Sequence, residues 1–165
     1  MSILKNKLLR QTLSLGFISG LRSFSGLALI SQHVSAHTSE PAPEIPLTWF
    51  QKEGVAWTLT ALAVGELIGD KMPGVPNRTD PPALFGRVAL GAMTGAVLSQ
   101  YEKEEATVGA VLGGVAALAG TFVGFYVRKA LVEKSGWPDW IFAVAEDAIT
   151  VGMGVNALSG LKKYA

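Results

Sequence analysis

Five apolar segments, separated by short polar connections, account for most of this 165-residue chain. A helix of about 20 predominantly apolar residues is long enough to cross a bilayer. One segment reaches that length without a charged residue, from Ala106 to Val127, whereas the others carry one or two charges in or near them. The pattern predicts an all-α fold, a polytopic transmembrane helical bundle that forms a single integral membrane domain over residues 1–165. Its membrane segments are expected at about 11–33, 54–71, 84–101, 106–128 and 139–161.

The distribution of Lys and Arg predicts the orientation of the bundle, because these residues are enriched on the cytoplasmic side of membrane helices. With five spans and a cytoplasmic N-terminus, most basic residues fall inside. Lys162 and Lys163 then fall outside, which fits the rule poorly. A re-entrant last segment that turns near Gly152 to Gly154 would move both inside. We prefer five spans in the inner cell membrane, with the N-terminus in the cytoplasm.

Composition favours the membrane over the alternative of a soluble helical protein with an unusually apolar core. Only 16% of the residues are charged, the mean hydropathy is +0.35 and there are 19 glycines. Glycines at i and i+4, as in Gly16/Gly20, Gly65/Gly69 and Gly91/Gly95, are typical of closely packed membrane helices. The net charge of +1 argues against nucleic acid as a partner. The absence of cysteine excludes disulfides and Cys-ligated metals.

Charged residues inside the apolar segments are the first candidates for function. Such a charge costs about 2.5 to 3.5 kcal/mol on insertion scales, so it usually faces a protein interior or a wet cavity. Glu66 and Asp70 are four residues apart and share a helical face. Arg22 is flanked by Gly20 and by Ser23, Ser25 and Gly26, a pattern that is compatible with a broken helix. Two interpretations of Arg22 remain open, an anion site at the break or an ion pair with Glu66, Glu146 or Asp147.

The other candidates are Arg87 in the segment 84–101, the acidic pair of Glu146 and Asp147, and a polar loop that precedes Arg87. On a helix the side chains of Glu146 and Asp147 point about 100° apart. One of them is therefore expected to meet Arg22 while the other lines a cavity. The predicted ion or substrate pathway consists of Arg22, Glu66, Asp70, Arg87, Glu146 and Asp147, with Asn77, Arg78 and Asp80 in a loop beside it.

Signatures of catalysis and metal binding are missing from the sequence. His33 and His37 have helical spacing but no further ligand pattern, and a proline-rich stretch follows them. An oxygen-ligand site from Glu66, Asp70 and Asp80 has no fixed geometry. There is no nucleophile elbow, phosphate loop or dinucleotide fingerprint. We therefore expect no metal site, no cofactor and no enzymatic activity.

Several short motifs resemble those of one family of small bacterial membrane proteins, the domain of unknown function 4126 family. The similarity runs from about residue 16 to 160 and is most specific in the Gly-Glu-Leu-x-x-Asp-Lys-x-Pro string and the Pro-x-Arg-Thr string that follows it. The matching stretches are Gly20–Ser23, Gly65–Pro73, Pro76–Thr79, Gly86–Arg87 and Glu146–Ala148. The resemblance implies an integral membrane protein with several helices. It implies no activity, substrate or catalytic residue.

Two functions are compatible with these features. The leading prediction is a small transporter or channel in the lipid bilayer, which works as a homo-oligomer on a small ion or an anionic solute. Ion or proton coupling would use Glu66 or the acidic pair, and Arg22 would meet an anionic group. The alternative is a non-transporting scaffold or accessory subunit whose buried charges are structural interhelical ion pairs.

Overall fold

A computed structural model describes residues 2–38, 42, 44–69 and 78–161 of the chain, with side chains from residue 6 onward. These ranges are almost entirely helical. The helices are α1 (Ser2–Leu21), α2 (Ser25–His37), α3 (Leu47–Phe50), α4 (Glu53–Gly69), α5 (Pro81–Tyr101), α6 (Ala106–Ser135) and α7 (Asp139–Ser159). Two residues of the predicted site, Asp70 and Asn77, lie outside the described ranges.

The first apolar segment is two helices that run in opposite directions, which corrects the prediction of a single span over 11–33. A Cβ atom added to Gly26 of α2 would lie 2.6 Å from the carbonyl oxygen of Leu15 in α1. Along a continuous helix these residues would be about 16 Å apart, since each residue adds about 1.5 Å. The chain therefore reverses at residues 22–24, and Gly26 permits the close approach because it has no side chain.

The six long helices alternate in direction. At one end of the bundle, which we call the turn end, the α1–α2 turn meets the beginnings of α5 and α7. The opposite end, the far end, holds the beginning of α1 and the end of α7, where the Gln11 side-chain amide donates to the Ala157 carbonyl over 2.8 Å. Helix α7 continues through Gly152 to Ser159, so it contains no re-entrant turn. The end of α7 lies beside the beginning of α1 because the chain reverses between α1 and α2. A re-entrant turn in the last segment is not needed to bring these two ends together.

The alternating directions of the helices remove the basis for the predicted orientation. That prediction placed the N-terminal basic residues on the same side of the membrane as Arg78 and Arg128. The two groups lie at opposite ends of the bundle. Exposed or half-buried basic residues among the described side chains occur at both ends: Lys7, Arg10, Lys52 and Lys103 at the far end, and Arg78, Arg128, Lys129 and Lys134 at the turn end. The cytoplasmic side of the N-terminus therefore remains a prediction.

Glycines line the contacts of α6 with α1 and α5, and larger residues such as Leu15 and Ile30 form a buried core. Many other large apolar residues cover the outside, as in a helix bundle surrounded by lipid. Side chains such as Phe85, Val111 and Ile149 are more than half exposed. Within the described ranges three helices, α5, α6 and α7, are long and apolar enough to cross a membrane. They indicate a membrane protein. The predicted count of five spans is not confirmed. Helices α2 and α4 have only 13 and 17 residues, and α1, although 20 residues long, is not among the described helices that are apolar enough.

Helix α6 packs against α1 and α5 through glycines, so a methyl group at one of them is expected to destabilise the bundle. A Cβ on Gly113 would collide with the carbonyl of Gly91, and one on Gly16 would lie 2.6 Å from the Gly113 carbonyl oxygen. We expect Gly113→Ala to cost about 1 to 3 kcal/mol, the usual effect of overpacking, seen as a lower midpoint of thermal unfolding in detergent. Gly152→Ala is the matched control, since its Cβ would meet nothing within 4 Å. An equal effect of both substitutions would contradict the prediction.

Candidate functional site

The turn between α1 and α2 leaves backbone N–H groups unpaired, and a carboxylate from another helix binds them. The backbone nitrogens of Ser23 and Phe24 donate to Oε1 and Oε2 of Glu66 over 2.7 and 3.0 Å. Free N–H groups at the beginning of a helix carry a partial positive charge. Glu66, near the end of α4, therefore neutralises the beginning of α2.

The unpaired carbonyls at the end of α1 are bound by an arginine. Nη1 of Arg87, in α5, donates to the carbonyl oxygens of Gly20 and Leu21 over 3.0 and 2.8 Å. Its Nη2 lies 3.3 Å from Oε1 of Glu66. A cation thus lies at the negative end of α1 and an anion at the positive end of α2, and the two bind each other. Together α4 and α5 fix the geometry of the break.

Arg22, at the centre of the break, is completely buried. Its Nε donates to Oδ1 of Asp147 over 2.7 Å, and its Nη2 lies 2.6 Å from the same oxygen. Of the two interpretations of Arg22, the structure contains the ion pair, with Asp147 as the partner and not Glu66. This pair ties the break to α7.

Glu146 points away from Asp147 and binds two arginines. Arg78 reaches both of its carboxylate oxygens, with distances of 2.5 and 3.2 Å. Nη1 of Arg128, in α6, lies 3.7 Å from Oε2 of Glu146, and Arg128 also pairs with Asp139. Asp147 is thus the carboxylate of the acidic pair that meets Arg22, as expected, and Glu146 is held between cations. That Glu146 lines a cavity stays a prediction.

Four arginines and four carboxylates therefore gather near the turn end, and we call this group the charged cluster. It consists of Arg22, Arg78, Arg87, Arg128, Glu66, Asp139, Glu146 and Asp147. It brings together five of the six predicted pathway residues and Arg78 of the predicted loop. Asp80, also predicted, immediately precedes α5.

Sequence reasoning missed Arg128 and Asp139, which are the last residue of the predicted segment 106–128 and the first residue of the predicted segment 139–161. A local signal was present in Gly136 and Pro138, since glycine commonly ends a helix and proline cannot continue one. In the structure only residues 136–138 separate α6 from α7. Gly136 ends α6 with a left-handed φ of 68°, a common way for a helix to stop before a tight turn. So short a connection has to bring the end of α6 and the beginning of α7 together, and with them their charges.

The chemistry that the charged cluster can provide is the binding of charged groups. Proteins commonly bind an anion where a guanidinium and the free N–H groups of a helix point at the same place. In this protein the Glu66 carboxylate occupies that place. Among the described side chains, no three His, Asp or Glu residues are grouped to hold a metal ion. His33 and His37 stack on each other, with ring centroids 4.5 Å apart.

Comparison with known proteins places the chain in a family. No curated protein and no solved structure shows detectable similarity to it. The family model described as "Domain of unknown function (DUF4126)" matches residues 9–159, which include every residue of the charged cluster. The chain, an all-helical membrane protein, therefore belongs to the DUF4126 family.

Proposed function

We propose that this protein is a small membrane transporter for an anionic solute, and that the anion binds at the break between α1 and α2. The observation that carries the proposal is the position of Glu66. Its carboxylate accepts hydrogen bonds from two free backbone N–H groups and lies beside Arg87. Broken helices with their free ends directed at a bound ion are a recurrent design of membrane transporters.

In this mechanism the Glu66 carboxylate occupies the place of the substrate and has to leave before an anion can enter. Protonation of Glu66 removes the negative charge that Arg87 and the N–H groups of Ser23 and Phe24 bind. These groups then become available to a carboxylate, a phosphate or a halide. Return of Glu66 to its anionic form expels the solute. A proton and an anion would thereby move in the same direction.

A second function, a scaffold or accessory subunit without transport, is favoured by a different observation. The remaining charges of the cluster form close pairs between helices, as in Arg22–Asp147 and the two-point contact of Arg78 with Glu146. Buried charges in membrane proteins commonly pair in this way. In such a protein Glu66 and Arg87 would serve only to lock the turn.

We further propose that the protein acts as a homo-oligomer and without enzymatic activity. Gly65 and Gly69 of α4 have no described atom within 4 Å of a Cβ position. Small residues that face outward allow the helix of a second copy to approach closely. A bundle of this size needs a second copy to enclose a pathway. Cross-linking in membranes through cysteines introduced at these two positions would test the association.

Flux through proteoliposomes separates transport from a scaffold role. Purified protein would be reconstituted with a pH-sensitive dye inside the vesicles, and chloride, nitrate, phosphate and acetate would be added in turn. We expect at least one anion to drive proton entry. In Glu66→Gln, whose side chain has the same size but cannot release a proton, this entry should fall to the level of empty vesicles.

The control is Glu133→Gln, which removes an exposed carboxylate of α6 outside the charged cluster. It should leave the flux unchanged. Thermal unfolding of both variants shows whether Glu66→Gln is still folded. A folded wild-type protein that moves protons with none of the four anions, together with an unstable Glu66→Gln, would contradict the transport proposal and support the scaffold.

A further inference from the structure

A second feature of the molecule lies at the far end, remote from the charged cluster. A cavity of about 430 Å³ opens between the first half of α1 and the last turns of α7. Its lining includes the cationic side chains of Lys7 and Arg10 and the amides of Gln11 and Asn156. We call it the basic cavity.

Within the described part of the chain, no carboxylate balances the charge of the basic cavity. Neither Lys7 nor Arg10 has an ion-pair partner among the described residues, and none of the residues that line the cavity is acidic. The arginines of the charged cluster, by contrast, each face a carboxylate. Two neighbouring cations without a carboxylate attract an anion, most strongly at the edge of a membrane where little salt solution surrounds them.

Neutral hydrogen-bond donors complete the cavity. Gln11 is more than nine-tenths buried, and its side-chain nitrogen donates one hydrogen to the Ala157 carbonyl. An amide nitrogen carries two hydrogens, so the second is available to a ligand. The hydroxyl of Ser14 and the amide of Asn156 add further donors. A phosphate group, with several acceptor oxygens and a negative charge, matches this combination of cations and neutral donors.

The surroundings of the basic cavity indicate a lipid as the source of that phosphate. Leu13 lies one helical turn beyond Arg10, and Val155 lies one turn before Ser159, both toward the middle of the bundle. Their side chains are 38% and 57% exposed. A headgroup in the cavity could therefore extend its acyl chains along these apolar side chains. We propose that the basic cavity binds the phosphate group of an anionic phospholipid, with Lys7 and Arg10 as its charged contacts.

Binding of phosphatidylglycerol to the full-length protein tests this proposal. The protein would be purified in phosphatidylcholine, titrated with phosphatidylglycerol, and the bound lipid counted by native mass spectrometry. Loss of one basic contact to an anionic headgroup corresponds to about fivefold in affinity, so Lys7→Gln and Arg10→Gln should each weaken binding by about that factor. Lys52→Gln, which removes an exposed cation at the same end of the bundle, should have no effect.

Two results would overturn the proposal, and each points to a different role for the cavity. If inorganic phosphate displaces phosphatidylglycerol from the wild-type protein, the ligand is a soluble phosphate and not a lipid. If Lys7→Gln and Arg10→Gln bind phosphatidylglycerol as the wild type does but unfold at a lower temperature in phosphatidylcholine, these side chains only stabilise the end of α7. A helix C-terminus attracts cations, and the Lys7 side chain lies close to Gly160.

Discussion

Replacing Asp147 with asparagine is expected to destabilise the protein by about 3 to 5 kcal/mol, the usual effect of breaking a buried ion pair by removing one partner. Asparagine has the same size as aspartate, so packing changes little. The guanidinium of Arg22 is completely buried, and the substitution takes away the anionic oxygen within 2.7 Å of its Nε. The buried guanidinium then loses the carboxylate that its Nε and Nη2 contact.

The size of this effect would be measured as the shift in the midpoint of thermal unfolding, followed by tryptophan fluorescence in detergent. The double variant Arg22→Gln with Asp147→Asn removes both charges and should recover most of the stability, because neither member of the pair then keeps a charge facing a neutral side chain. The Lys129–Glu133 pair, exposed and 3.9 Å apart, is the control for a surface interaction. Changing both of its residues to glutamine should alter the midpoint little. If Asp147→Asn and this control shift the midpoint equally, the pair with Asp147 does not stabilise the fold.

The reversal within the first segment shows where prediction from the sequence stops. The apolar run of residues 11–33 predicted helix, and the glycines and serines around Arg22 were compatible with an interruption there. The direction of the chain after residue 22 was not predictable. The hydropathy of a segment indicates whether its residues are buried, but it carries no information on the angle between the axes of two successive helices. The reversal depends on contacts distant in sequence, such as Gly26 against Leu15 and Arg87 against Gly20. One missed reversal then changed the end of the bundle assigned to every later helix.

For the charged cluster, the sequence was enough to recognise most of the residues but not which of them form ion pairs with each other. Charges within apolar segments are costly, so Arg22, Glu66 and Asp147 were recognisable as buried groups that need partners. Which partner each one finds depends on the neighbours of each helix. Helix α4 lies against α2 and not against α1, so Glu66 meets the free N–H groups of α2 and Arg87, whereas Arg22 is left to α7.

Arg87 is expected to be the least replaceable residue of the charged cluster. Substitution with leucine removes both hydrogen bonds to the end of α1 and the contact with Glu66. The Leu21 carbonyl loses its arginine donor and Glu66 loses its cation, whereas the Gly20 carbonyl keeps the Thr121 hydroxyl as a donor over 3.1 Å. An unsatisfied buried carbonyl costs about 1 to 3 kcal/mol, and removal of one partner of a buried ion pair costs about 3 to 5 kcal/mol. We therefore expect the free energy of unfolding to fall by about 4 kcal/mol or more, or no assembly in the membrane at all. Arg87→Lys keeps the charge, but an ammonium group lacks the fork of donors that reaches both the carbonyls and Glu66. The stability of this variant should therefore lie between that of the wild type and that of Arg87→Leu.

Hydrogen exchange distinguishes a specific effect on the break from a general loss of stability. In the wild type the amides of Ser23 and Phe24 are bound to Glu66. When Arg87 no longer holds Glu66 and the end of α1 together, these two amides should exchange faster than their neighbours in Arg87→Lys, the variant expected to remain folded. Arg78→Lys is the matched control, because Arg78 is also paired but binds Glu146 and does not touch the turn. It should leave exchange at Ser23 and Phe24 unchanged. Equal exchange at these amides in both variants would mean that Arg87 contributes to the bundle as a whole and does not fix the geometry of the break, and the proposed anion position would lose its structural basis.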